Sequence, residues 1–479
     1  MRKITSIITL LALVGCMLQE EPVQKTPNVL FILADDMRHT TIHALGNEQI
    51  ITPALDKLVK EGLTFSNCYI QGGSSAAICM PSRAMLLTGR NWFSIPEQGA
   101  RIPKEQTLMG EHLQNNNYNC FGTGKWHNGK ESFNRCFNHG DAIFFGGMAD
   151  HWNTPLFHYD STGIYKDSRK EIKHPGRGKV TTIKRGEYCL SGVHSSEVFA
   201  DAVIDFISDY SSEKSFFAYT SFTAPHDPRV SPQKYLDMYD TSKIKLPPNF
   251  MEEYRFDYGG TQIRGEKLVA YPRQEGEIKE HLRDYYAIIT HMDEQIGRII
   301  DALKESGRYD NTLIIFSSDN GIALGSHAMM AKQDQYEHGI HIPLIFVGPG
   351  FAKNASHEAK VQLTDFFPTL CDFLKIDIPQ SVQGKSFNNA FADPSFSGHQ
   401  VLYSGYKSFQ RAIVKDNYKL IKYMVNGVET TELYDIVKDP YEVDDISAHN
   451  SELVASLTQK LFEKKTEAKD TLMNFNTGL

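Results

Sequence analysis

The chain has 479 residues, of which 41% are hydrophobic and 23% charged, with 35 glycines and a formal net charge of -8. That composition excludes disorder on a large scale. With Lys/Arg and Asp/Glu interspersed along the chain it also argues against a nucleic-acid partner, so any anion site must be built locally from a few converging cations. The length suits one large α/β domain with an appendage, or two to three ordinary domains.

The first residues differ from the rest. Arg2 and Lys3 precede an apolar run from Ile4 to Val14, and "LVGC" follows, ending at Cys16. This reads as an export signal. It is similar to a bacterial lipoprotein signal, in which a small residue precedes the cysteine that is cut and acylated. Cys16 would then be the lipidated mature N-terminus, with residues 1–15 removed and residues 16–26 a polar tether to a membrane. A plain secretory signal or a short anchor is the alternative, and the run is short for a membrane span. The expected location is the periplasm, the outer membrane or the cell surface.

From Asn28 the texture is that of a folded domain. "NVLFILADD" is a continuous apolar run stopped by two carboxylates, the pattern of a strand buried on both faces of a parallel sheet. In "TPALDKLVKEG", Thr52 can cap, Pro53 suits the first helical position and Gly62 can end the helix. "LTFSNCYI" follows as a strand. "GGSSAAICMPSRAMLLTGR" then turns from small residues, which leave room for an anion, into a short helix with Cys79 at its start and Gly89 as its stop.

Strand-like and helix-like segments alternate from there: "NYNCFGTGKWH", a helix from Ser195 to about Tyr210, "SFFAYTSFTAPHDP", a helix from about Lys279 to Glu305, and "NTLIIFSSDNG". The expected fold class is α/β, a large mixed, mostly parallel sheet sandwiched by helices. Residues 142–187 and about 242–274 lack periodicity and read as surface insertions that shape a pocket. Residues 410–436 alternate as antiparallel strands around an Asn426-Gly427 turn, and a helix from Ser451 to about Glu467 follows. We place a catalytic domain at 27–385 and a smaller antiparallel sheet-plus-helix subdomain at 386–479.

Besides Cys16 there are six cysteines, Cys68, Cys79, Cys120, Cys136, Cys189 and Cys371, without a C-x-x-C spacing. Zinc-thiolate chemistry is therefore not expected, and Cys120 with Cys136 is a candidate disulfide pair. Two strand ends deliver hard oxygen donors: Asp35 and Asp36 after "VLFILA", Asp319 and Asn320 after "LIIFSS". Loops at the carboxyl ends of parallel strands are where such sheets build sites, and three carboxylates with an amide oxygen suit Ca²⁺ or Mg²⁺. Taken singly, either pair is more readily a solvated turn.

The combination shifts that balance. "CMPSR" at residues 79–83 matches the C-x-P-S-R core of type I sulfatases, and "LLTGR" follows it as in that family. "ADD", "GKWH", "APHDP" and "SSDNG" stand in the family's order. "GSHAMMAKQDQYEHGIHIPLIFVGPG" resembles its downstream segment, and "ELYDIVKDPYE" its C-terminal signature. The chain thus resembles the formylglycine-dependent sulfatases of the alkaline phosphatase superfamily, bacterial lipoprotein carbohydrate sulfatases in particular, from about Asn28 to Asp445.

The resemblance implies that a maturation enzyme oxidises Cys79 to formylglycine, whose hydrate supplies the nucleophilic oxygen. It implies that Asp35, Asp36, Asp319 and Asn320 bind Ca²⁺ together with an oxygen at position 79, and that Asp319 deprotonates the attacking hydroxyl. Arg83 and Lys125 match cations that hold position 79 and the sulfate oxygens, as suits a transfer that spreads negative charge over equatorial oxygens. His226 and Lys332 match residues that protonate or stabilise the departing alcohol oxygen. His127 matches the residue that takes a proton from the second hydroxyl, so that sulfate leaves by carbon–oxygen cleavage.

Lys125, His226, Lys332 and His327 are the implied substrate contacts, although His327 reads equally as a residue that orders a loop. Asp227, Arg229, His338 and His341 are weaker candidates for contact. The implied substrate is a sulfated saccharide cut from its end, a glycosaminoglycan or algal fragment. Two other readings stay open: a phosphonate or phosphate-ester hydrolase with the same site, and a sulfoglycan-binding lipoprotein whose Cys79 is never matured.

Overall fold

The computed structural model describes residues 26–166, 168–173 and 180–472. The export signal, Cys16 and the tether up to residue 25 lie outside the described residues. No helix among the described residues is long and apolar enough to cross a membrane.

A nine-stranded sheet forms the centre. Asn28–Ala34 pairs in parallel with Phe216–Ser221 on one side and Thr312–Ser318 on the other, and all three strands are buried along their whole length. Burial on both faces is why they are written as unbroken apolar runs. Val29, Phe31 and Leu33 enter one hydrophobic core, and Leu30, Ile32 and Ala34 enter the other. The helix Cys79–Thr88 packs in the first core, whereas Ser195–Ser208 and the long helix Glu275–Glu305 pack in the second.

Asn119–Lys125 and His139–Phe144 extend the sheet in parallel beyond Phe216–Ser221. On the opposite side Leu344–Val347 runs antiparallel to both Thr312–Ser318 and Leu63–Tyr69, and Ala355–Gln362 closes that edge in parallel with Leu63–Tyr69. The sheet is thus mixed and mostly parallel, with the principal strands ending on one side.

The helix Pro53–Glu61 starts and stops as expected, but Thr52 does not cap it. The Thr52 hydroxyl accepts from the His43 amide at 2.9 Å instead. The open amides of Ala54 and Leu55 donate to the Asp293 carboxylate of the long helix, at 2.9 and 2.7 Å.

The second sheet has five strands. Val401–Tyr406, Gln410–Lys415, Tyr418–Val425 and Val428–Asp435 run antiparallel, with Asn426 (φ 52°) and Gly427 (φ 80°) in the expected turn. The helix Ser451–Glu467 covers this sheet with Leu457 and Leu461. Its fifth strand is Gly72–Gly73, parallel to Val401–Tyr406.

This corrects the reading of those glycines as space for an anion. Gly72 has φ +89°, and a Cβ there would lie 2.0 Å from the Gly405 carbonyl oxygen, so the position is glycine because two backbones meet. Gly72 and Gly73 therefore belong to the C-terminal sheet, whereas Ala76 and Ala77 line the cavity beside Cys79. The insertion at 142–187 carries a hairpin, Ser168–Lys173 with Val180–Gly186, and both insertions lend residues to the cavity beside Cys79 as expected, Gly147 and Met148 from the first and Ile263, Arg264, Gly265 and Leu268 from the second. One further expectation fails. No disulfide joins Cys120 and Cys136, whose thiols are both buried; Cys120 Sγ donates to the Gly110 carbonyl at 3.4 Å.

Candidate active site

The carboxyl ends of the central strands converge on one helix start. Asn28–Ala34 leads into Asp35 and Asp36, Thr312–Ser318 into Asp319 and Asn320, and Asn119–Lys125 ends on Lys125 with His127 close behind. The loop after Phe216–Ser221 carries His226. Cys79 opens the helix Cys79–Thr88 and is 1% exposed.

Cys79 Sγ lies 3.5 Å from Lys125 Nζ and 3.3 Å from His127 Nδ1. With one oxygen each of Asp35 and Asp319 it forms a group whose atoms all lie within 4.8 Å of one another, and Asp35, Asp36 and His226 form a second such group. Arg83 is the hub behind them. Its Nε donates to Asp319 Oδ2 at 2.8 Å, and its Nη1 donates to the Lys125 carbonyl at 2.8 Å and to Ser221 Oγ at 2.5 Å.

Lys125 Nζ is 2.5 Å from Asp35 Oδ2. Lys332 Nζ is 2.5 Å from Asp36 Oδ1, which also accepts from Asn320 Nδ2 at 2.7 Å. Asp36 takes φ 70° and donates its own amide to Asp319 Oδ1 at 3.2 Å, which locks the two strand ends together. Three buried carboxylates are thus matched by three buried cations.

The matching is uneven, and the protonation equilibria show it. Burial and the neighbouring Asp319 push the Asp35 carboxyl well above its ordinary value, and Lys125 opposes this only in part. Burial acts the same way on Asp36, but Lys332, His226 and Lys125 outweigh it and hold the group below the usual carboxylate range. Asp319 is also held low, because Arg83 and Lys125 outweigh its burial. For Lys332, burial is overcome by Asp36 and Cys79, so its ammonium is stabilised.

Both histidines favour the neutral ring. Burial, then Lys125 and Arg83, lower His127 well below its ordinary value. Burial brings His226 down to about 3 against the pull of Asp36, with Lys332 adding to the effect.

The donor set fits a hard divalent cation. Asp35 Oδ1 and Asn320 Oδ1 are buried without a hydrogen-bond partner, a state in which oxygens seek a donor or an ion. Carboxylate and amide oxygens suit Ca²⁺ better than a soft metal.

Cys79 opens onto a cavity of about 390 Å³ that also exposes Asp36, His127, His226 and Lys332. Gly147 lets His127 in, since a Cβ there would lie 2.7 Å from its Nε2. Asp227 and Arg229 line the same cavity. His327 does not: its ring stacks on Tyr336 at 3.9 Å, and its amide donates to the Asn249 carbonyl at 2.8 Å. His338 faces Asp334 at 3.1 Å, and His341 is held by Glu337 at 2.6 Å and the Ser66 carbonyl at 2.7 Å, so neither reaches the cavity. Sequence reasoning missed Ser221 and Gln333. Gln333 lines the cavity and donates to the Ala76 carbonyl at 2.5 Å, and neither residue carries a local signature.

The architecture sets acidic strand ends against a cysteine at a helix start, under a mixed sheet sandwiched by helices. The sulfatase family model matches residues 27–376, and the model for the C-terminal part of N-sulphoglucosamine sulphohydrolase matches residues 325–468. The chain belongs to the sulfatase family and is a sulfuric ester hydrolase.

Among its relatives, an arylsulfatase of Clostridium perfringens is 29% identical over 446 residues, 88% of this chain and 90% of the relative. An N-acetylglucosamine-6-O-sulfatase of Bacteroides thetaiotaomicron is 24% identical over 96% of this chain and 90% of the relative. A protein solved in complex with its substrate D-glucosamine-2-N,6-O-disulfate superposes with a TM-score of 0.75 at 22% identity, over 93% of this chain and 99% of that one. The phosphonate monoester hydrolase of Agrobacterium radiobacter has a TM-score of 0.71 at 19% identity, over 92% and 96% of the two chains.

Proposed function

We propose that this sulfatase removes an O-sulfate from a carbohydrate in a calcium-dependent reaction, with Cys79 oxidised to formylglycine by a maturation enzyme. The observation that carries this reading is the position of Cys79, buried at a helix start between Lys125, His127 and the carboxylates of Asp35 and Asp319. The Cys79 sulfur stands where an oxygen of the formylglycine hydrate would stand. That hydrate supplies two hydroxyls on one carbon, one to attack sulfur and one to release sulfate. Asp35, Asp36, Asp319 and Asn320 would hold Ca²⁺, which supplies neutralising charge and a lowered hydroxyl pKa.

The remaining work falls to the chain's own side chains. Lys125 presents a fixed cation to the sulfate oxygens, and Arg83 holds Asp319 and the Lys125 backbone in place. His127, neutral and 3.3 Å from the position-79 atom, can take a proton from it. Both Asp319 oxygens already accept hydrogen bonds, so Asp319 serves better as a ligand than as the base that deprotonates the nucleophile. At the leaving side, His226 Nδ1 donates to the Asp227 carbonyl at 2.8 Å, which leaves Nε2 without a proton in the neutral ring. Lys332 remains charged and is the stronger donor to the departing oxygen.

A cavity of about 390 Å³ is near the small end of ligand pockets, about 300–1,000 Å³, which favours one terminal sugar over an internal segment. The relatives active on N-acetylglucosamine 6-O-sulfate and on ulvan support a carbohydrate substrate. The N-terminal sequence supports an exported, lipid-anchored enzyme. Natively matured protein assayed on defined sulfated mono- and disaccharides, an aryl sulfate and a phosphonate monoester, with the mass of the Cys79 peptide, tests this. Sulfate release from a saccharide and the aldehyde mass are expected; an active enzyme with an unmodified thiol, or faster phosphonate turnover, overturns the reading.

A further inference from the structure

Arg229 follows His226 closely in the loop after Phe216–Ser221 and lines the cavity onto which Cys79 opens. It is only 8% exposed, yet its Nε and Nη2 have no hydrogen-bond partner. The carboxylates nearby are already matched: Asp36 by Lys332, Asp227 by Arg264 at 2.6 Å, Asp35 by Lys125 and Asp319 by Arg83. Among the described residues no carboxylate forms an ion pair with Arg229; Asp227 feels its charge but is in contact with Arg264, so a buried guanidinium faces the substrate cavity without a hydrogen-bonded counter-ion. A charge in that state is costly unless an anion arrives to meet it.

The guanidinium is also held in place. It lies over the Tyr285 ring, 5.7 Å from the centroid. The neighbouring Val230 carbonyl accepts from His194 Nε2 at 3.0 Å, which pins the loop. The groups in contact with Cys79 Sγ are Lys125 and His127, not Arg229. An arginine fork matches the paired oxygens of sulfate or carboxylate.

We propose that Arg229 forms a second anion subsite, which binds a further sulfate or carboxylate on the same saccharide and makes doubly charged sugars the preferred substrates. The proposal rests on the carbohydrate reading above. Its test compares kcat/KM on three matched saccharides that carry the scissile sulfate alone, with a second sulfate, or with a carboxylate. The enzymes are wild type, Arg229→Gln and Arg229→Lys, each checked for folding by its melting temperature.

Wild type should favour one of the doubly charged sugars by about tenfold or more, mainly through KM. Arg229→Gln should shrink that ratio to about threefold or less, and Arg229→Lys should restore part of it. The arm that shows the preference identifies sulfate or carboxylate. An equal rate on all three sugars in wild type, or an unchanged ratio in Arg229→Gln, overturns the subsite.

An aryl sulfate with and without a ring carboxylate is run alongside. Inert saccharides with an Arg229-dependent preference in the aryl pair would remove the carbohydrate reading and keep the subsite. Saccharides cleaved without preference would do the reverse.

Discussion

Arg83 Nε donates to Asp319 Oδ2 at 2.8 Å, with both side chains at 0% exposure, and so ties the start of the Cys79 helix to the end of a central strand. Arg83→Met leaves the Asp319 charge buried without its cation, which typically costs about 3–5 kcal/mol. Arg83→Lys keeps the charge but cannot reach Asp319, Ser221 and the Lys125 carbonyl together. We expect denaturant melts to show a large loss for the first variant and a partial loss for the second, with sulfatase activity down at least about 100-fold in both.

The buried, unpartnered oxygens of Asp35 and Asn320 lead to a metal prediction. Activity should be lost on chelation and return with Ca²⁺ but not with Zn²⁺. Asp35→Asn should need at least about tenfold more Ca²⁺ for half-maximal recovery. Calcium titrations of the chelated proteins measure this, and an enzyme indifferent to chelation would contradict the site.

Gly72 approaches Gly405 too closely for a side chain. Gly72→Ala should destabilise the protein by about 2 kcal/mol or more, because φ +89° is strained for alanine and the strand must part from its neighbour. The same change made at Gly276, where nothing lies within 4 Å, should leave the melting temperature nearly unchanged.

His226 and His327 should separate cleanly. His226→Ala removes a ring that lines the cavity and should lower kcat/KM, but by less than the about 10²- to 10⁴-fold loss that Lys332→Ala causes by removing the proton donor. His327→Ala removes a ring stacked on Tyr336 outside the cavity, so it should lower the melting temperature and leave KM as it was. A raised KM for His327→Ala on the preferred saccharide would return that residue to the substrate contacts.

Asp293 provides a pH dependence remote from the catalytic chemistry. Burial raises its carboxyl to about 7, against the two amide hydrogen bonds from Ala54 and Leu55. The folded state therefore keeps this proton longer than the unfolded chain, whose carboxyl titrates near 3.9. Stability from this group is greatest below about pH 4, falls as pH rises towards 7 and is constant above that. Asp293→Asn should flatten this segment, so the difference in melting temperature between variant and wild type should change sharply between pH 4 and 7 and little between pH 8 and 9.

Much of this was legible in the sequence. Unbroken apolar runs ending in Asp35-Asp36 and Asp319-Asn320 marked buried parallel strands whose ends face one site, because burial on both faces leaves no alternation. Pro53, Gly89 and Asn426-Gly427 marked boundaries through backbone restrictions that act locally. What stayed hidden depends on partners distant in the chain. The Gly72–Gly73 strand is defined by Val401–Tyr406, the helix cap at Ala54 comes from Asp293, and His327 is withdrawn by Tyr336. Arg229 stands out only when its neighbours are counted, since a guanidinium has meaning by what fails to pair with it.

Gly72 and Gly73 lie against Gly405 and Tyr406, and just beyond them Cys79 is almost wholly enclosed. A ribosome builds the "CMPSR" segment long before residue 406 exists. Throughout that interval the strand that fastens the segment has not been made, and on the reading proposed above Cys79 would be within reach of a modifying enzyme that grips an extended chain. The last sheet to be synthesised would close that window, so on that reading the order of translation itself would separate preparation of the residue at position 79 from its use.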